Sequence, residues 1–152
     1  MKKTILMALC AMCILFVGCS KDAKDVSIDE LFSAAKDKMD TTQMADETDP
    51  DILKVFLEDL KDDDYSEFRY AMPQKNVFVS QIMIIKSRPD KLDNVKKCVE
   101  THVQNNKDIF KTYEVEQYKF LEKAELFTIQ DYVVLLIGDG ASEAKSAISK
   151  LF

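Results

Sequence analysis

The sequence predicts an α+β fold: a four-stranded antiparallel sheet with helices packed on one face, in the order α-α-β-β-α-β-β-α. Three observations lead there. Apolar residues recur at helical spacing as far as Leu60, and from Glu67 the pattern changes to alternation. The run Ile82-Met83-Ile84-Ile85 is apolar on both faces of a strand and belongs near the centre of a sheet. Two β-β-α units then follow one another, and Ile84-Ile85-Lys86-Ser87 resembles Leu135-Leu136-Ile137-Gly138 at the entry to each helix.

Each element has a local cause. Ser27-Ile28-Asp29-Glu30 is a capping box, in which hydroxyl and carboxylate satisfy each other's free backbone amides. Ile28, Leu31, Phe32, Ala35 and Met39 extend it into a first helix ending near Met39. The polar, unpatterned stretch Asp40 to Thr48 reads as a loop. Asp49-Pro50 caps a second helix with a stripe at Ile52, Leu53, Phe56 and Leu60, closed by Lys61-Asp62-Asp63-Asp64.

Phe68, Tyr70 and Met72 alternate with polar neighbours in a first strand, and Pro73-Gln74-Lys75-Asn76 connects it to a second from Val77 to Lys86. Pro89 opens a third helix carrying Leu92, Val95, Val99, Val103 and Phe110, and Glu114 to Glu122 forms short turns. A third strand over Leu126 to Gln130 reverses at Gln130-Asp131 into a fourth, Tyr132 to Ile137. Gly138-Asp139-Gly140 breaks that strand, and Ala144, Ala147, Ile148 and Leu151 line the last helix.

The amino terminus reads differently. Lys2 and Lys3 precede a 13-residue apolar run, Ile5 to Val17, followed by Gly18-Cys19. The run is short of the roughly 20 residues a membrane span needs. A basic start, an apolar segment and a small residue at the cut describe a removable signal. Phe16-Val17-Gly18-Cys19 resembles a lipobox, with cleavage between Gly18 and Cys19 and lipid on the Cys19 thiol. The expected organisation is a signal over 1–18, a lipidated tether over 19–27 and one domain over 28–152. Two acyl chains suffice for lasting attachment, since each buried methylene contributes about 0.8 kcal/mol.

Without Lys2 and Lys3, 19 basic residues face 27 acidic ones, a balance of −8. That balance argues against a nucleic-acid partner, whose phosphates require clustered Lys and Arg. Of four cysteines, Cys10 and Cys13 leave with the signal and Cys19 is lipidated, so Cys98 has no intrachain disulfide partner.

Few residues point to chemistry. His102, the single histidine, lies one turn from Cys98, but both occupy one helix with no third group, so a helix-face pair is the simpler reading. Glu58, Asp59 and Asp62 to Asp64 lack the alternation and the glycine of a calcium loop and read as a solvated acidic turn. Phe110, Tyr113 and Tyr118 could line a groove, although such spacing is more common in cores. No catalytic residue, metal ligand or cofactor motif is identified.

Ile82 to Lys86, the helix through Val95, Val99 and Val103, Phe110-Lys111-Thr112-Tyr113, Ala124-Glu125-Leu126 and Asp131-Tyr132-Val133-Val134 together resemble the domain of unknown function 4358 family, over 68–152. The resemblance implies a small lipid-anchored extracytoplasmic protein and brings no functional residues. The expectation is a non-catalytic domain held on the outer face of the cell membrane by lipid on Cys19, binding an envelope protein or small ligand. An envelope hydrolase is the alternative. A transporter's capture lipoprotein is disfavoured, because 134 residues are few for two lobes.

Overall fold

The computed structural model describes residues 24–152; Gly18, Cys19 and the signal expected over 1–18 lie outside them. Five helices and five strands follow in the order α1 (Ile28–Lys36), β1 (Met44–Glu47), α2 (Pro50–Phe56), β2 (Tyr65–Pro73), β3 (Gln81–Ser87), α3 (Leu92–Tyr113), α4 (Val115–Glu122), β4 (Glu125–Ile129), β5 (Tyr132–Ile137) and α5 (Ala141–Ser149). The sheet is antiparallel throughout, with strand order β1-β2-β3-β5-β4.

The sheet therefore has five strands where four are expected. The additional one, β1, comes from the segment read as a loop. Its sequence, Met-Ala-Asp-Glu, has no alternation, because an edge strand needs only a backbone partner and one inward side chain. Met44 supplies that side chain, and the strand pairs with β2 from Met44 opposite Pro73 to Glu47 opposite Tyr70.

Helices also cover both faces of the sheet, not one. In the central pair, Ile82 lies opposite Leu136 and Ile84 opposite Val134, and these side chains pack with Leu31, Ala35, Ala144 and Ile148 of α1 and α5. The alternate residues Met83, Ile85, Val133 and Leu135 face the other way, against Leu53, Val95, Val99, Phe110 and Leu121 of α2, α3 and α4. Every residue of β5 is buried. A strand pair apolar on both sides leaves water on neither, so each face recruits its own helices.

Local signals set most boundaries. The Ser27–Glu30 capping box forms, with Ser27 N donating to Glu30 Oε2 at 3.0 Å and Glu30 N to Ser27 Oγ at 3.3 Å. Asp49 Oδ1 caps α2 through Asp51 N at 2.9 Å, with Pro50 in the first turn. The third helix begins at Leu92 rather than at Pro89, because Asp90 takes a left-handed φ of 62° and interposes a turn. Gln130, at φ 50°, makes the β4–β5 reversal. The tether predicted over 19–27 is already structured at its end. Val26 is buried, and its carbonyl accepts the Tyr132 hydroxyl at 2.8 Å.

Gly140 begins α5 at φ 85°, and a Cβ there would stand 2.0 Å from the Lys38 carbonyl oxygen, where α5 meets the chain leaving α1. Backbone cannot yield as a side chain can. Gly140→Ala is expected to lower unfolding free energy by at least about 2 kcal/mol, measured by urea denaturation. An unchanged midpoint would contradict this packing.

Candidate functional site

Gln81 interrupts an otherwise apolar strand centre. It opens β3 opposite Ile137 and is only 2 % exposed. A buried amide without partners costs about 1–3 kcal/mol, and three elements supply them. The Tyr70 hydroxyl, from β2, donates to Gln81 Oε1 at 3.1 Å. Nε2 of His102, from α3, lies 3.2 Å from the same oxygen, and the Gln81 amide donates to the Val79 carbonyl at 3.4 Å. One turn on, Asn106 donates to the His102 carbonyl at 3.0 Å and places the same amide nitrogen 3.1 Å from His102 Nε2. Phe56, at the end of α2, packs edge-on against both Tyr70 and His102.

This hydrogen-bonded row forms the floor of a cleft of about 290 Å³ between α3 and the chain joining β2 to β3. Phe56, Met72, Phe78, Val79, Ile109 and Phe110 make its apolar wall, and Lys75 and Asn76 stand on its rim. The connection is held in place by Val79 N, which donates to Gln117 Oε1 of α4 at 3.1 Å. An apolar concavity with a few converging polar groups is the usual form of a ligand site.

Burial pushes the His102 pKa down to about 4, partly offset by a backbone hydrogen bond at Phe56. The ring is neutral at physiological pH and carries one N–H. Nε2 then either donates to Gln81 or accepts from Asn106, according to tautomer. Burial likewise pushes the Tyr70 phenol up, so it remains a hydrogen-bond donor.

The residues singled out in the sequence have different fates. Cys98 and His102 both border a small recess beside α2, but no hydrogen bond joins them. Burial, reinforced by Asp59 and Asp64, pushes the Cys98 thiol up and disfavours thiolate. Of the three aromatic residues, Phe110 enters the cleft, Tyr113 is exposed and Tyr118 packs against the core. Asp62 and Asp63 are solvated as expected, but Asp64 is not: its side chain is 2 % exposed. It accepts from Lys61 N at 3.0 Å and Asn94 Nδ2 at 2.9 Å and pairs with Lys91 at 3.3 Å, fastening the α2–β2 turn to the start of α3. Desolvation raises its pKa, but those donors outweigh it and hold the carboxyl below its usual range.

A wider concavity, about 650 Å³, runs between α1 and α5. Ala34, Lys38, Ser142, Ser146 and Lys150 line it, and none of the buried polar side chains reaches it. It is a surface groove between helices. Among the described residues no group of three His, Cys, Asp or Glu side chains is placed to hold a metal ion, and no helix is long and apolar enough to cross a membrane.

Fold and site together define an α+β domain, helices on both faces of an antiparallel sheet, with an aromatic cleft at one sheet end. The chain belongs to the family described as domain of unknown function (DUF4358), whose model matches residues 37–138. That segment starts within the turn after α1, includes every residue of the cleft and stops before α5. No curated protein and no solved structure matches the chain.

The buried histidine makes stability depend on pH. Its folded pKa is depressed from 6.5 to about 4, so between those values the unfolded chain binds the extra proton and acid favours unfolding. Tyr70 shares the Gln81 oxygen with it, and Cys98, Glu58 and Asp59 lie on the neighbouring side. Lowering the pH from 7 to 5 is expected to remove about 2 kcal/mol through His102 alone. In His102→Gln most of that loss should vanish from urea unfolding curves. Equal acid sensitivity in both proteins would refute the assignment. Asp64→Asn is expected to destabilise by about 1–3 kcal/mol at pH 7, measured the same way.

Proposed function

We propose that this chain is a non-catalytic binding domain, held by lipid on Cys19 at the extracytoplasmic face of the cell membrane, whose ligand occupies the cleft floored by Gln81, His102 and Asn106. The observation that carries the reading is the cleft's composition. Aromatic and aliphatic walls surround a hydrogen-bonded polar floor, and among the described residues its lining holds no carboxylate and no cysteine. Neutral His102 has a glutamine and an asparagine for neighbours, not an acid that would orient it for proton transfer. Hydrolysis by paired carboxylates has no counterpart there.

The position of the tether supports the same reading. Lys24 and Val26 are fastened to the β4–β5 turn and the start of β5 through Gln130 and Tyr132. Gln81 sits opposite Ile137, at the other end of that strand and roughly 17 Å away along it. A domain held by its amino terminus at one sheet end presents the cleft at the other.

Two variants test the proposal in cells. Cys19→Ala should move the chain from the membrane to the soluble fraction, with mass spectrometry finding acyl chains on Cys19 only in the unmodified protein. Ile109→Asp places a charge at the cleft mouth on an exposed position. It should abolish retention of any compound or partner purified with the membrane-bound chain while leaving the unfolding midpoint unchanged. An unacylated Cys19, or retention unaffected by Ile109→Asp, would overturn the corresponding half.

A further inference from the structure

The chemistry of the cleft narrows what enters it. We propose that it takes the ring of a tyrosine or tryptophan side chain from an extended segment of a protein partner: an uncharged aromatic group bearing one hydrogen-bond donor. This rests on the cleft being a non-catalytic ligand site.

Size is the first argument. A space of about 290 Å³ lies at the lower limit of small-molecule pockets and suits one ring rather than a larger metabolite. The wall is the second. Phe56, Phe78 and Phe110 offer ring edges and faces, and Met72 a polarisable sulfur, the neighbours that aromatic rings favour.

Charge is the third argument. Among the described residues no carboxylate lines the cleft to compensate a buried cation, and Lys75 on the rim repels one. An anion entering the cleft would meet a neutral histidine, and among the described lining residues only Lys75, at the surface, could oppose its charge. The inserted group is therefore uncharged.

The floor sets its polarity. The Asn106 amide nitrogen is committed to His102, whereas no hydrogen bond reaches Asn106 Oδ1 among the described residues. Tyr70 uses its proton on Gln81, which leaves its oxygen able to accept. The floor thus offers acceptors, and a phenol O–H or indole N–H is the complementary donor.

The surroundings favour a polypeptide over a free small molecule. Ile109 and Tyr113, one turn apart on α3, are 59 % and 64 % exposed. Ile109 lines the cleft and Tyr113 packs edge-on against its wall residue Phe110, so the apolar wall continues onto the surface beside a cleft that only one ring can fill, with room for the residues flanking that ring.

The test uses the acylated full chain in lipid nanodiscs, with binding read from the Met72 and Ile109 methyl resonances. Four probes are compared: p-cresol, 4-methylanisole, 4-methylbenzylamine and the capped peptide Ac-Leu-Tyr-Leu-NH2. p-Cresol should bind about five- to tenfold more tightly than 4-methylanisole, which lacks the donor, and the amine should not bind. The peptide should bind at least tenfold more tightly than p-cresol. In Asn106→Leu, p-cresol should lose its advantage over 4-methylanisole. Equal binding of the two neutral rings to the unmodified chain, or binding of the amine, would overturn the ligand class. Equal binding of p-cresol and the peptide would overturn the protein source. If no probe binds while Ile109→Asp still releases a native ligand, the ligand class fails and the binding site stands. If probes bind Ile109→Asp as they bind the unmodified chain, the cleft itself is wrong.

Discussion

The pairing of β3 with β5, two strands apolar on both faces, is the constraint on which this molecule depends. Ile82, Ile84, Val134 and Leu136 point to one side, and Met83, Ile85, Val133 and Leu135 to the other, all effectively without solvent. Such a centre is stable only between two helical layers, since exposing either row would forfeit about 1.5–3 kcal/mol per side chain. The layers divide the labour. Helices α1 and α5 close one face around small residues, and with them the fastening of the amino-terminal segment. Helices α2, α3 and α4 close the other and leave the cleft.

The cleft follows from a single departure within that apolar centre. Gln81 stands where the pattern would place a hydrophobic residue, and its amide must be satisfied or it destabilises the sheet. Tyr70, His102 and the Val79 carbonyl meet that need, and with Asn106 on His102 they bring polar groups to the bottom of an aromatic recess. Neutral His102 is part of the same arrangement, because an imidazolium there would be buried among rings, with an amide rather than a carboxylate as its hydrogen-bond partner. Stability and recognition thus share residues.

Much of the fold is legible in the sequence wherever the cause is local. The Ser27–Glu30 box, Pro50 in a first helical turn and the alternation through Phe68, Tyr70 and Met72 all act within a few residues, and all appear in the structure. Strand β1 is illegible because an edge strand made of Met, Ala, Asp and Glu is held by backbone pairing, which leaves no periodic trace. The second helical layer had a signal, the two-faced apolarity of Ile82 to Ile85, which outweighs the hairpin-then-helix order that favours one covered face. Asp64 reads as one more member of an acidic turn, since its partners Asn94 and Lys91 lie far along the chain. The cleft is the least legible part. Tyr70, Gln81 and His102 belong to three elements, each with an ordinary local role, and only the register of β2 on β3 and the packing of α3 bring them together.

A buried, neutral, hydrogen-bonded row forms the bottom of the cleft. Nitrogen-edited spectra of the His102 ring, followed as pH falls from 7.5 to 5, test it most directly. The ring should remain a neutral imidazole with one protonated nitrogen throughout that range. A ring that becomes cationic with a midpoint near the usual value of 6.5 would place His102 in water and contradict it.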